Sequence, residues 1–175
     1  ACAYGGFNSI VFHKEGGSEI RDIEHNCNKS TFTWLKNSLM LFYIGNNNHT
    51  NGILKNRRTD EEGFQIRKAM KRLAQDMIDW IQDGVKLEAF GEILNLGYIY
   101  KIESGCGAVS AEFESAYRLA LDAGALGVKP TGANGGFLLL ACHEKDKPAV
   151  RQALCHLKEV EFGFEKEGTK IIYNG

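Results

Sequence analysis

The sequence has little proline, no excess of one charge and no long apolar run. Only 2 of its 175 residues are proline, and 21 lysines and arginines nearly balance 22 aspartates and glutamates, for a formal net charge of -1. Because nucleic-acid binding requires clustered Lys and Arg, this balance argues against a nucleic-acid partner. The apolar runs fall short of the roughly 20 residues of a membrane-spanning helix, which argues against a membrane protein.

Paired cysteines are also missing. The 5 cysteines are odd in number, scattered along the chain and without a C-x-x-C pair. This pattern predicts reduced thiols rather than a disulfide framework, and therefore a cytoplasmic protein. The sequence does contain 43% hydrophobic residues, which is enough for the core of one ordinary domain.

A glycine-rich segment, residues 124–142 (GALGVKPTGANGGFLLLAC), is the most informative part of the chain. Its apolar end, residues 137–142, predicts a strand buried on both faces. The glycines before that strand would expose backbone N–H groups, and concave sets of such groups bind anions, phosphate above all. A tight connection that needs small residues only for packing is the alternative, and the residues alone leave both open.

Hydrophobic patterns predict strands on both sides of this segment. Residues 7–23 read as a β-hairpin with a Gly-Gly turn, and the continuous apolar run at 39–44 predicts a buried strand. Alternation over residues 160–164 predicts a half-exposed strand, and residues 170–173 a short final one. The polar residues 24–37 are assigned only as a connection.

Helices are predicted between these strands. Residues 64–83 have apolar side chains at three- and four-residue steps, and residues 87–102 predict a second helix. A third should begin at its N-cap Ser110 and end before Gly124, and a fourth should have Pro148 in its first turn. Together these elements predict an α+β fold, a mainly antiparallel sheet with helices packed on one face.

At this level the chain resembles the C-terminal domain of the GHMP small-molecule kinases, most of all those acting on heptose phosphates and next the fucose kinases. The similarity rests on Tyr4 to Asn8, Leu41 to Gly45 with Ile53 and Leu54, Phe90 to Leu94, and the run Ala120 to Phe137. It implies a ferredoxin-like domain at residues 38–175. The hairpin and connection at residues 1–37 are then the tail of an N-terminal kinase domain that is missing from this sequence.

The family motif K-x-x-G-A-G-G-G-G falls on Lys129, Thr131 and the loop that follows them. The resemblance implies contact with nucleotide phosphates for Gly132, Ala133, Asn134, Gly135 and Gly136. It also makes Lys129 and Thr131 candidates for contact with a sugar or sugar-phosphate substrate. The alternatives are a solvated lysine and a threonine that only closes the turn. His49, in an asparagine-rich loop, is a third substrate candidate, with an ordinary surface position as its alternative.

The resemblance also has gaps that bear on activity. The loop is one glycine short, and Asn134 stands where the family has glycine. The family's phosphate loop and catalytic acid both lie in the N-terminal domain, so ATP and Mg²⁺ are expected only in the complete two-domain kinase. The chain alone is expected to be inactive. The competing hypothesis is a stand-alone ferredoxin-like module that binds a small ligand or forms a homodimer.

Overall fold

The fold is given by a computed structural model that describes residues 4–27, 29–45, 57–84, 86–106, 110–132 and 136–170. Its elements, in chain order, are β1 (Asn8–Phe12), β2 (Ser18–Asp22), α1 (Ile23–Asn26), α2 (Lys29–Ser38), β3 (Leu39–Tyr43), α3 (Glu61–Asp83), α4 (Leu87–Glu103), α5 (Ala111–Asp122), β4 (Ala125–Thr131), β5 (Phe137–Cys142), α6 (Lys147–Ala153) and β6 (Lys158–Glu159).

The described strands form two antiparallel sheets. Strands β1 and β2 make a hairpin, and the larger sheet has the order β4-β5-β3-β6. Strand β5 lies inside this sheet, and the side chains of Leu138, Leu140 and Ala141 are 0% exposed. The predicted α+β fold, its hairpin and its buried apolar strand are thereby confirmed.

Apolar side chains pack against both faces of the larger sheet. On one face, Phe42 and Leu140 share a cluster with Phe113 of α5. On the other, Ala141 shares a second cluster with Phe90 of α4 and with residues of α2 and α3. The helices therefore cover two faces, where the pattern placed them on one. A continuous apolar strand such as β5 requires this arrangement, because its alternate side chains point to opposite faces.

Helix α5 begins and ends where the sequence predicts. The Ser110 side chain accepts a hydrogen bond from the backbone N–H of Phe113 at 3.2 Å. Gly124 follows the helix with a φ of +104°, a conformation that favours glycine over residues with a Cβ. Both ends are therefore fixed locally, and α5 leads directly into β4.

Replacing Ser110 with alanine should lower the free energy of unfolding by about 1 kcal/mol, because the Phe113 N–H loses its cap. Urea denaturation measures the change. Ser110→Asp is the matched control, since aspartate caps a helix equally well and should leave the urea midpoint near its original value. Equal midpoints for Ser110→Ala and the original chain would contradict the assigned cap.

Two strand predictions need correction. The sequence missed β4, which precedes the glycine-rich loop, so the loop joins two strands rather than a helix and a strand. The strand predicted over residues 160–164 is wrong, because β6 ends at Glu159. Phe164 instead packs its ring against Phe7 and Phe32, at centroid distances of 5.6 and 5.0 Å. The alternation arose from this aromatic packing and not from a sheet.

The assignment of residues 24–37 as a connection is also wrong, because most of them belong to α1 and α2. Helix α2 buries Phe32, Leu35 and Ser38. Only two of these are apolar, which is too few to stand out as a helical pattern. Of the predicted final strand, Lys170 is not in a strand, and residues 171–173 lie outside the described residues.

Candidate functional site

Helix α4 lies against the edge strand β4 at unusually short range. A Cβ on Gly127 would lie 1.9 Å from the carbonyl oxygen of Gly91 in α4. The Asn95 side chain of α4 donates to the Leu126 carbonyl at 3.3 Å and accepts from the Val128 N–H at 3.0 Å. These bonds satisfy backbone groups that the edge of a sheet would otherwise leave unpaired. The contact fixes the register between α4 and the first half of β4.

The glycine-rich turn leaves the sheet at the end of this contact. Its first residue, Gly132, has a φ of +76° and open space where a Cβ would be. The Gly132 carbonyl accepts a hydrogen bond from the Lys101 ammonium at 2.8 Å. At the other end, the Gly136 carbonyl accepts from the Ile44 N–H at 2.9 Å. Both described ends of the turn are therefore held in place.

A cavity of about 650 Å³ opens beside the turn, between α3, α4 and the end of β4. Its residues are Arg57, Arg67, Met70, Leu73, Ala74, Met77, Ile93, Leu94, Gly97, Lys101, Ser104, Cys106, Lys129, Pro130, Thr131 and Gly132. We call it the cationic cavity, because four of these side chains are Arg or Lys and none of the described lining residues is Asp or Glu. Its size suits a small metabolite.

Two lysines define the inner end of the cationic cavity. The Lys129 side chain runs along α4, with carbons 3.7 Å from a Cβ placed on Gly97. Burial lowers the pKa of Lys129, and no described residue accepts a hydrogen bond from its ammonium or forms an ion pair with it. Burial also lowers the pKa of Lys101, and the charge of Lys129 lowers it further. The two ammonium groups thus repel each other in a partly dry site.

The two arginines reach the cavity from the segment before α3 and from α3 itself. The Arg58 N–H donates to the Ser104 carbonyl at 3.0 Å, which joins this segment to the end of α4. The Arg67 guanidinium donates to the Arg58 carbonyl at 2.7 Å. Gly63 permits the close packing, since a Cβ there would lie 2.6 Å from the Arg58 carbonyl oxygen. Arg57 and Arg67 are therefore both placed at the cavity.

The structure brings together three of the residues singled out from the sequence. Lys129, Thr131 and Gly132 all line the cationic cavity, while Gly136 lies at the far end of the turn. The remaining candidates, Ala133, Asn134, Gly135 and His49, lie outside the described residues. The roles assigned to all of these residues stay predictions.

Sequence reasoning missed Lys101, Arg57 and Arg67. A signal for Lys101 was available, because it follows Gly97 by one helical turn and therefore lies on the same face of α4. A glycine inside an otherwise apolar helix commonly marks close approach by another group, here the Lys129 side chain. Nothing in the local pattern links Arg57 or Arg67 to β4, because their positions depend on tertiary packing.

Other chemistry has little support in the described residues. None of them form a group of three or more His, Cys, Asp or Glu side chains that could hold a metal ion. The cationic cavity offers Mg²⁺ no carboxylate from its described lining, so this site does not fit that ion. Cys142 is fully buried, and burial raises the pKa of its thiol to about 11, which excludes a reactive thiolate. None of the described helices is sufficiently long and apolar to span a bilayer.

Comparison with known proteins identifies the kind of domain. Residues 84–159 match the family model described as GHMP kinases C terminal. A search of curated protein sequences found no match. These residues therefore belong to a GHMP kinase C-terminal domain, as the glycine-rich motif predicted, and the antiparallel α+β fold agrees with that assignment.

Several solved kinase structures share this fold. For a D-glycero-D-manno-heptose 1-phosphate kinase from Bacteroides thetaiotaomicron, the match covers 98% of this chain and 47% of the kinase, at 20% identity and a TM-score of 0.64. For the L. major mevalonate kinase, the match covers 87% of this chain and 45% of the kinase, at 19% identity and a TM-score of 0.58. For a homoserine kinase from Cytophaga hutchinsonii, the match covers 98% of this chain and 52% of the kinase, at 12% identity and a TM-score of 0.58. The chain thus spans about half the length of these kinases.

Proposed function

We propose that the chain is the C-terminal part of an ATP-dependent kinase for a sugar or sugar phosphate. Its contribution is the glycine-rich turn between β4 and β5, whose residues 132–136 contact the phosphates of the nucleotide. The observation that carries the proposal is the position of this turn. It opens beside a cavity lined by four cationic side chains, in a region that matches GHMP kinases.

The physical demands of phosphoryl transfer fit such a division of labour. The reaction needs positioning and neutralisation of charge more than covalent chemistry from the protein. Lys101 and Lys129 supply positive charge, and the turn supplies backbone N–H groups. A base for the acceptor hydroxyl and the ligands for Mg²⁺ would come from the N-terminal domain that we propose as partner. We therefore expect no phosphoryl transfer by residues 1–175 alone.

The test is acceptor-dependent ADP release by the longer protein. The coding sequence before Ala1 is determined, and the protein it encodes is assayed with ATP·Mg²⁺ and a panel of neutral sugars and sugar phosphates. ADP release with at least one acceptor supports the proposal. A folded longer protein that releases no ADP with any of them contradicts it.

A variant pair sharpens this assay. Lys129→Met should lower kcat/KM by about tenfold or more, because a charge-assisted contact in the site is lost. Lys145→Met removes the same charge from an exposed position just before α6 and should leave kcat/KM unchanged. Equal losses for the two variants would mean that net charge, and not the site, determines the rate.

A second candidate function, a stand-alone module that binds a small ligand, is favoured by one observation. The described residues of this chain form the cationic cavity, and a cavity of this size suits a small ligand.

The free described cysteines, Cys27, Cys106, Cys142 and Cys155, fit a reducing compartment under either function, and we propose the cytoplasm. Homodimer formation stays a prediction.

A further inference from the structure

The described lining of the cationic cavity carries four cations and no acid, whereas ion pairs form at other places on the described surface. Elsewhere, Arg58 pairs with Asp60 and Glu62, and Arg151 pairs with Glu159. The chain as a whole carries nearly equal numbers of acids and bases. Four cations without one acid among the described lining residues of a single cavity are therefore a local arrangement rather than a result of composition.

This arrangement is unfavourable when the cavity holds no anion. Lys129 is half-buried, and its ammonium lacks a partner among the described residues. Desolvating an unpaired charge destabilises a fold. Its repulsion with Lys101 adds to the cost. Apolar walls from Met70, Leu73 and Leu94 keep the local dielectric low, so that an anion placed here would interact strongly with both ammonium groups.

The kinds of donor present favour a dianionic phosphate. Lysine ammonium groups act as compact point charges with three donors each, and guanidinium groups of arginine match phosphate oxygens in pairs. The cavity also has room beyond a phosphate, since about 650 Å³ suits a small organic molecule. Both a free phosphate ion and a phosphate monoester satisfy these contacts.

We propose that the cationic cavity is a binding site for inorganic phosphate or a phosphate monoester, held between Lys101 and Lys129 and flanked by Arg57 and Arg67. The site borders the turn proposed to contact nucleotide phosphates and shares Gly132 with it. Because Lys101 and Lys129 also serve in the proposed kinase, the inference deepens the proposed function, and binding of phosphate without nucleotide tests it separately. Lys101 joins the two regions, because its ammonium also donates to the Gly132 carbonyl. An anion in the cavity should therefore change the environment of the turn.

Binding is tested by following backbone amide signals of the isotopically labelled chain by NMR. The added compounds are inorganic phosphate, a hexose phosphate and the same hexose without phosphate. Both phosphates should shift the amide signals of Lys129, Thr131 and Gly132, and the neutral hexose should shift none of them. Tighter binding of the hexose phosphate identifies an organic phosphate as the ligand, whereas equal binding identifies free phosphate. No saturable shift with either phosphate overturns the proposal.

Variants distinguish the site from general charge attraction. Lys129→Met should weaken phosphate binding by about tenfold or more, and Lys129→Arg should keep most of it. Lys145→Met is the matched control and should bind as the original chain does. Thermal unfolding verifies that each variant is folded, and Lys101→Gln provides a second test if Lys129→Met does not fold. Equal weakening by Lys129→Met and Lys145→Met overturns the proposal.

The connection that Lys101 makes between the cationic cavity and the turn can be tested separately, through the amide signal of Gly136. In the original chain, the amide signal of Gly136, at the far end of the turn, should shift with the same phosphate dependence as that of Lys129. In Lys101→Met, phosphate at saturating concentration should still shift the Lys129 signal but no longer the Gly136 signal. A Gly136 shift that persists in Lys101→Met rules out the link. These measurements contain no nucleotide, so their failure is distinguishable from failure of the ADP-release assay.

Discussion

Replacing Gly127 with alanine is expected to lower the free energy of unfolding by about 3 kcal/mol or more, a large part of the stability of a domain this size. The new Cβ would lie 1.9 Å from the Gly91 carbonyl oxygen. That oxygen belongs to the backbone of α4 and cannot rotate away. The helix must therefore move from β4, which also breaks the two hydrogen bonds of Asn95. Urea denaturation measures the loss.

Gly97→Ala is the matched control in the same helix. A Cβ on Gly97 would meet only the Lys129 side chain, at 3.7 Å, which is ordinary contact. Alanine also favours the helix by up to about 1 kcal/mol over glycine. The urea midpoint of this variant should therefore stay the same or rise. If Gly127→Ala unfolds at the same urea concentration as Gly97→Ala, α4 and β4 are not packed as described.

Replacing Lys129 with methionine is expected to raise the free energy of unfolding at pH 7 by about 1–2 kcal/mol, even though it weakens phosphate binding. Methionine fills a similar volume and does not bury an unpaired charge, and such replacements of buried charge are often stabilising. A residue that destabilises its own fold is typical of functional sites. Urea denaturation without phosphate measures the gain.

The stability difference between Lys129→Met and the original chain should also depend on pH in a definite direction. Burial lowers the pKa of Lys129 in the folded chain, so above that pKa the unfolded chain binds more protons than the folded one. The stability of the original chain should therefore rise with pH between the folded and unfolded pKa values of this lysine, relative to Lys129→Met. The advantage of Lys129→Met should be full below the folded pKa of Lys129 and should shrink as the pH rises from that pKa towards the ordinary lysine value.

Lys145→Met provides the control for this effect, because it removes an exposed charge and should change the free energy of unfolding little. If Lys129→Met is less stable than the original chain at every pH, the ammonium has a stabilising partner. In that case, the cationic cavity is not short of negative charge.

The elements with strong local signals were predictable from the sequence. Helix α3 has a regular apolar spacing, α5 has a serine cap and a terminal glycine, and β5 is a continuous apolar run. Helix α2 and strand β4 were not found. Helix α2 buries few apolar side chains, and β4, residues 125–131 (ALGVKPT), contains a glycine and a proline that disfavour strands. Contact with Asn95 of α4, which is tertiary, compensates for these residues.

Only some of the site residues were predictable from the sequence. Lys129, Thr131 and Gly132 are adjacent in sequence, and a single motif indicated all three. Lys101 and Arg67 lie on different helices, and only the packing of α3 and α4 against β4 brings them to the same cavity. The sequence could therefore indicate a phosphate-binding turn but not the cationic cavity beside it.

Crystals of the chain grown with tungstate would show whether this cavity holds a phosphate-like anion, as we claim. Tungstate is a dianion of phosphate-like shape, and its metal atom is located by anomalous scattering. We expect the strongest anomalous peak within hydrogen-bond distance of the Lys101 and Lys129 ammonium groups. A cavity without a peak, in crystals where tungstate binds only at surface lysines, would contradict the claim.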